Sequence, residues 1–186
     1  MAVVGRKQNE QEVAIRAQEI LSRRLSKDYV VHVGKSILYK IGVDAQGKVI
    51  PDSVDSPMRG QYAFQTDILV ESRSPSIPLV VVELKYGSFS SHDVITYSWK
   101  ASQHKGIYPY LRYGFVVVGL GGLGRRFLTH NQSFDFALAL PDIVEAEAEF
   151  VAVVQRQVAS AECLAKLMRS NQIKLLRYEE NVEIAS

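Results

Sequence analysis

Two apolar runs within residues 64–86 place the strongest constraint on how this chain folds. The first run reads FQTDILV, the second reads LVVVELKY, and the polar link ESRSPSIP with its two prolines separates them. Runs rich in Val, Ile and Leu are typical of strands that are buried within a sheet. Because a short link usually joins elements that are adjacent in space, the sequence predicts two neighbouring strands.

The two runs also carry three charged residues, Asp67, Glu83 and Lys85, in a setting that is otherwise apolar. Side chains alternate between the faces of a strand, so Glu83 and Lys85 point the same way. If the strands pair, Asp67 comes alongside Glu83. A buried charge without a partner costs several kcal/mol, and we therefore expect this group to have a partner such as a metal ion.

Two carboxylates of this kind suit Mg²⁺, which keeps several waters and substrate oxygens in its coordination sphere. Such an ion polarises a phosphodiester and lowers the pKa of a bound water that attacks it. Lys85 would orient that water or stabilise the negative charge that builds on phosphorus. The alternative is structural: the strand lies at a sheet edge, and its glutamate and lysine are simply solvated.

Periodicity along the chain predicts a single mixed α/β domain over residues 1–186. Asn9 is a suitable N-cap for the first helix, and Ser90 or Ser91 caps the second. The long final helix would pack on the sheet or on a second subunit, with a break expected near Ser160. The predicted elements are helix 9–26, strand region 29–42, strands 61–71 and 77–86, helix 90–108, strand 113–119, and a C-terminal part, 134–186, comprising a strand in 134–140, a helix from 142 and a strand or tail in 173–186.

The composition fits one globular domain with its own core, since 47% of the 186 residues are hydrophobic. The net charge of +2 permits a nucleic-acid partner without arguing for one. A single cysteine, Cys163, excludes an internal disulfide and a zinc site built on paired cysteines. We find neither a signal peptide nor an apolar run long enough to cross a membrane, and we expect a soluble cytoplasmic protein.

The order of elements and the three charged residues resemble the PD-(D/E)XK nuclease superfamily, which has the restriction-endonuclease-like fold. In that family a hairpin carries one acidic residue followed by (D/E)-x-K, within a core of a helix, three strands, a helix and a strand. Residues 9–120 follow that order, and Asp67, Glu83 and Lys85 match the motif. The sequence departs from the family pattern at Thr66, where a proline usually precedes the first acid.

The resemblance implies a restriction-endonuclease-like core, in which helices flank a central mixed β-sheet, and a site for Mg²⁺ with Mn²⁺ as a substitute. Asp67, Glu83 and the main-chain carbonyl of Leu84 would hold the ion. Lys85 would serve the attacking water.

The resemblance also suggests contributions from two helices. Many members have a glutamate on the first helix near the metal, and here Glu19 is favoured over Glu12. A polar residue on the helix after the hairpin, Gln103 or Lys100, would face the site, although the Q-xxx-Y spacing of the family is not met. For each of these residues the structural alternative is a solvated helix surface.

The resemblance implies a nuclease that hydrolyses DNA, as an endonuclease rather than an exonuclease. Double-stranded DNA favours a homodimer, since one small site per chain must cut two strands, and the long final helix is the expected interface. The alternative is a catalytically inactive DNA-binding or assembly component of the same fold.

Residues 119–124 satisfy the pattern GxGxxG after an apolar strand, as phosphate-binding turns of dinucleotide-binding proteins do. The segment that follows does not begin a long amphipathic helix, which favours a plain loop over a nucleotide-binding enzyme. Arg125 and Arg126 beside this loop would contact DNA phosphates in a nuclease.

Overall fold

The computed structural model describes residues 9–51, 57, 62–170, 174 and 176, and these contain four helices and nine strands. The helices are α1 (Glu10–Arg24), α2 (Ser91–Ile107), α3 (Gly124–His130) and α4 (Glu147–Arg169). The strands are β1 (Tyr29–Val33), β2 (Ser36–Leu38), β3 (Gly42–Val43), β4 (Val49–Ile50), β5 (Ala63–Gln65), β6 (Ile68–Arg73), β7 (Ser76–Tyr86), β8 (Arg112–Val118) and β9 (Phe136–Leu140).

Five strands form a central sheet in the order β1, β6, β7, β8, β9. The pairs of β6 with β1 and with β7 are antiparallel, whereas the pairs of β8 with β7 and with β9 are parallel. Strand β7 lies in the middle, and its residues 79–84 are all buried. A strand covered on both faces needs apolar residues throughout, which explains the LVVV run. The predicted α/β fold with a central mixed sheet flanked by helices is confirmed.

Helices α1 and α4 cover one face of the sheet. Val80, Val82 and Leu84 of β7 point into this layer, where they belong to the same apolar core as Phe150 of α4. The apolar residues of α1 recur every three or four positions, so they form one stripe that packs on the strands. The buried residues of that stripe are Val13, Ala14, Ala17, Ile20 and Leu21.

Helix α4 begins at Glu147 rather than at residue 142, and it differs from the prediction in two further respects. It continues without a break through Ser160, whose hydroxyl accepts hydrogen bonds from Nε and Nη2 of Arg112 at 3.0 and 2.8 Å. The serine is therefore used as a contact to β8 and does not end the helix. The apolar face of α4 is buried on the sheet, so that face cannot serve as the expected dimer interface.

The predicted strand 61–71 is also divided, because β5 pairs with β2 in a separate small sheet while β6 joins the central sheet. At the division, the N–H and the hydroxyl of Thr66 both donate to the carbonyl of Lys35, at 3.0 and 2.9 Å. These bonds hold the chain out of the central ladder until Ile68, and they leave Asp67 at the point where the chain turns into β6.

Helix α2 covers the other face of the sheet, together with α3 and the small sheet of β2 and β5. Both predicted N-caps are confirmed: Asn9 accepts a hydrogen bond from the N–H of Glu12 at 2.9 Å, and Ser90 forms a capping box with Asp93. No helix in the described ranges is long and apolar enough to cross a membrane. The predicted C-terminal strand or tail, 173–186, lies outside the described residues except for positions 174 and 176.

The packing of α4 on the sheet predicts a clear difference between two alanine variants of that helix. Phe150 is fully buried, and Phe150→Ala should lower the free energy of unfolding by about 3–5 kcal/mol because it leaves a cavity. Met168 is 61% exposed, and Met168→Ala should change that free energy by less than about 0.5 kcal/mol. Urea unfolding followed by circular dichroism measures both, and equal losses would contradict this packing.

Candidate active site at the start of strand β6

The side chain of Asp67 accepts a backbone hydrogen bond from β7 at the point where the backbone ladder between β6 and β7 stops. The last paired residues are Ile68 and Val82, and beyond them the N–H of Leu84 donates to Oδ2 of Asp67 at 2.7 Å. A carboxylate thus replaces the carbonyl that a longer strand would have supplied. This bond brings Asp67 alongside Glu83, where the predicted pairing of the two apolar runs led us to expect it.

Glu83 is the most deeply buried acid of the described part of the chain, with 1% of its surface exposed. Its Oε1 accepts a hydrogen bond of 2.5 Å from the hydroxyl of Tyr113 and lies 3.9 Å from Nζ of Lys100. Burial raises the pKa of Glu83 to about 8, and the negative charge of Asp67 raises it further, against the opposing effects of Lys100 and Tyr113. Near neutral pH, Glu83 therefore holds a proton, which also allows it to share a hydrogen bond with Asp67.

The main chain of Leu84 lies on the same side of β7 as the acid pair. In a strand the N–H and the C=O of one residue point to the same neighbour, and the N–H of Leu84 points to Asp67. The carbonyl of Leu84 therefore also faces the gap before the start of β6. The resemblance to the nuclease superfamily implies a main-chain oxygen as a metal ligand at this place.

Lys85 has partners other than the acid pair. Its Nζ lies 3.2 Å from Oε1 of Glu10 and 3.5 Å from Oδ1 of Asp93, and 5.4 Å from the ring centre of Tyr97. Partial burial lowers the pKa of Lys85, but Tyr97 and Glu10 outweigh that effect and hold the pKa above its usual range. Lys85 is consequently a fixed cation rather than a group that gives up its proton.

The glutamate that α1 brings to this region is Glu10, not Glu19 or Glu12. Glu10 occupies the same face of α1 as Val13, Ala14 and Ala17, because positions three, four and seven apart share one side of a helix. Glu19 is exposed on the opposite side, about 180° away around the axis at 100° per residue. The phase of the apolar stripe was therefore the signal that would have identified Glu10.

On α2, Lys100 lies closer to the acids than Gln103 does. The Nζ of Lys100 is 3.9 Å from Glu83 and 4.9 Å from the ring centre of Tyr97, which thus lies between the two lysines of the site. Gln103 is half-buried about one turn further along α2. Its side chain makes no hydrogen bond or ion pair with the described residues. Burial, with the nearby charge of Glu83, raises the pKa of Tyr97, so its hydroxyl stays protonated.

Neither Tyr97 nor Tyr113 was predicted from the sequence to belong to the site. The contact between Tyr113 and Glu83 depends on the parallel register of β7 and β8, in which Glu83 is opposite Phe115. Tyr97 precedes Lys100 by three residues, a spacing that places both on one face of α2.

The two arginines after the glycine-rich turn lie in the first turn of α3, and both are exposed. Nη1 of Arg126 donates to the carbonyl of Phe89 at 2.7 Å, which attaches this turn to the segment between β7 and α2. The helix that follows, α3, has only seven residues, far shorter than the helix of a dinucleotide-binding unit.

The acid pair fits a divalent cation that takes few protein ligands. No group of three or more His, Cys, Asp or Glu residues suited to a metal occurs among the described residues. Mg²⁺, however, is commonly bound by one or two carboxylates, with waters and substrate oxygens in the other positions. A cation bound here would neutralise the repulsion between two adjacent carboxylates, which is one of the effects that raise the pKa of Glu83 in the metal-free protein.

Comparison of this chain with protein-family models, with curated proteins and with solved structures finds no match. The site is therefore interpreted from its own residues and from the motif they form.

The raised pKa of Glu83 predicts how the stability of the metal-free protein depends on pH. Between its ordinary pKa of 4.5 and about 8, the folded protein holds a proton that the unfolded chain releases, so stability falls as pH rises through this window. Glu83→Gln stays neutral and can still accept the Tyr113 hydrogen bond. Its stability relative to wild type should therefore rise by a few kcal/mol from pH 5 to pH 8.5.

Thermal and urea unfolding in EDTA, across that pH range, measure this difference. The groups facing Glu83 are Asp67, Lys100 and Tyr113, and they are unchanged in the variant. Glu149→Gln, at an exposed position of α4, is the matched control and should follow the wild-type curve. A constant difference between wild type and Glu83→Gln would contradict the raised pKa.

Proposed function

We propose that this chain is a Mg²⁺-dependent nuclease that hydrolyses phosphodiester bonds in DNA and belongs to the PD-(D/E)XK superfamily. The observation that carries the proposal is the contact between Asp67, directly before β6, and the buried Glu83. The ammonium group of Lys100 lies 3.9 Å from Glu83. A buried acid whose pKa is raised beside a second carboxylate, as that of Glu83 is, is costly to fold, and such groups are concentrated at functional sites.

The order of elements supports the same proposal. Helix α1, the antiparallel strands β1, β6 and β7, helix α2 and the parallel strand β8 follow one another as in the restriction-endonuclease-like core. The acids lie on the hairpin of β6 and β7, where the family motif carries them.

Asp67, Glu83 and the carbonyl of Leu84 would hold the Mg²⁺, with Mn²⁺ as a substitute. A bound ion would supply Lewis-acid polarisation of the phosphodiester. Neighbouring groups of the chain would hold the two carboxyl ligands in place. The N–H of Leu84 donates a hydrogen bond to Asp67, and the hydroxyl of Tyr113 donates one to Glu83.

The two lysines take the role of cations. Lys85 is held by Glu10 and Asp93 with its pKa above the usual range, which favours stabilisation of negative charge over proton abstraction. Lys100 is the cation nearest the acid pair in the described part of the chain, so it replaces Gln103 as the α2 residue of the site.

DNA is the proposed substrate, and the exposed side chains of Arg125 and Arg126 would contact its phosphates. Cleavage of both strands of a duplex would still favour a homodimer, with an interface other than the apolar face of α4.

A second candidate function is a non-catalytic DNA-binding component of the same fold. One observation favours it: the ion pairs of Lys85 are with Glu10 and Asp93 rather than with the acid pair. This candidate binds DNA but does not cut it.

A cleavage assay with supercoiled plasmid and single-stranded circular DNA tests the nuclease. Wild type should cut in Mg²⁺ or Mn²⁺ and not in EDTA. Asp67→Asn and Glu83→Gln should each lower the rate at least about a hundredfold, or roughly 2.7 kcal/mol of transition-state stabilisation, because each removes a negative ligand. Asn at position 67 still accepts the Leu84 hydrogen bond, so the fold should persist.

Glu149→Gln is the control for the loss of one acid at an exposed position, and it should cut like wild type. Circular dichroism of each variant checks that the fold is retained. Equal cutting by wild type and both site variants would rule out the acid pair as the catalytic centre. DNA binding without metal-dependent cutting by wild type would instead select the non-catalytic candidate.

A further inference from the structure

A cluster of aromatic rings lies next to the acid pair: Tyr39 after β2 stacks on Phe64 of β5, and Trp99 of α2 meets Phe64 edge-on. The rings of Tyr39 and Phe64 are stacked with their centres 4.0 Å apart and an angle of 13° between their planes. The ring centre of Trp99 lies 5.7 Å from that of Phe64. We call these three residues the aromatic platform.

The platform belongs to the surface rather than to the core. Trp99 is 51% exposed, and Tyr39 and Phe64 are partly exposed. Phe64 also contacts the buried ring of His104, with ring centres 5.9 Å apart. This contact attaches the platform to the core beneath α2. Single exposed apolar side chains are ordinary, but a contiguous set of aromatic rings indicates a binding surface.

Two lysines accompany the platform. The Nζ of Lys40 lies 5.6 Å from the ring centre of Tyr62, whose edge meets Tyr39. The Nζ of Lys100 lies 5.7 Å from the ring centre of Phe64 and 3.9 Å from Oε1 of Glu83. The Phe64 ring is thus within about 10 Å of the acid pair, a span of three stacked nucleotides along one strand.

We propose that the aromatic platform stacks an unpaired base of the nucleic-acid strand whose phosphate lies at Asp67 and Glu83. Aromatic rings beside a cationic groove are the usual means of holding single-stranded nucleic acid, since every base has a flat face to stack. In a duplex the faces of the bases are covered by their neighbours, so this contact requires an unstacked base. The inference rests on the proposed nuclease function and narrows its substrate to DNA with a single-stranded segment next to the cut.

The single tryptophan of the chain makes this contact directly measurable, because Trp99 is the only source of tryptophan fluorescence. The full chain is titrated in EDTA with single-stranded oligo(dT) and with a blunt duplex of equal length. Stacking should quench the emission with the single strand, which should bind at least about tenfold more tightly than the duplex.

Variants separate the platform from general electrostatic attraction, with affinity measured by anisotropy of a labelled oligonucleotide. Trp99→Ala should weaken single-strand binding by about tenfold to a hundredfold, whereas Trp99→Phe should keep most of the affinity. Met168→Ala removes a side chain of similar exposure from α4, behind the sheet, and should bind as wild type does.

Unchanged emission at saturation, or an equal loss of single-strand and duplex affinity in Trp99→Ala, would overturn the inference. The titration contains no divalent cation, so its result is independent of cleavage. Quenching by a protein that never cuts DNA would support the platform and refute the nuclease. Cutting without quenching would support the nuclease and refute the platform.

Discussion

The hydrogen bond from the N–H of Leu84 to the carboxylate of Asp67 is the interaction on which the candidate site depends. The chain is kept out of the central ladder at Thr66, which bonds to Lys35 instead, so the backbone of β6 cannot reach Leu84. The side chain of Asp67 fills that place. Without this arrangement Asp67 would be free to turn to solvent, and Glu83 would be buried without its acidic neighbour.

The surroundings of Glu83 explain how the fold tolerates a buried acid. Burial alone would make the charged form very unfavourable, and Glu83 responds by retaining its proton, which allows a hydrogen bond with Asp67. The Tyr113 hydroxyl and the Lys100 ammonium oppose that shift and would favour the charged form once another cation is present. Replacing buried charged groups by apolar residues of similar volume is often neutral or stabilising, so the burial of Glu83 is weak evidence for a stabilising role.

Much of the fold could be predicted because the apolar runs and helix caps are local signals. The predicted pairing of the two apolar runs led us to expect Asp67 beside Glu83, and the structure brings the two acids together. The division of the strand at Thr66 depends on a contact with distant Lys35, and the role of Tyr113 depends on sheet register, so neither could be read locally. Glu10 was missed for a different reason: the apolar stripe of α1 indicated its direction, but the prediction compared only positions nearer the middle of the helix.

The two lysines beside Tyr97 have different partners. Lys85 is held by Glu10 and Asp93, so its position is set by α1 and by the first turn of α2. Lys100 contacts Glu83 on one side and the ring of Phe64 on the other. Lys100 therefore adjoins both the surface proposed to select the substrate and the residues proposed to cut it.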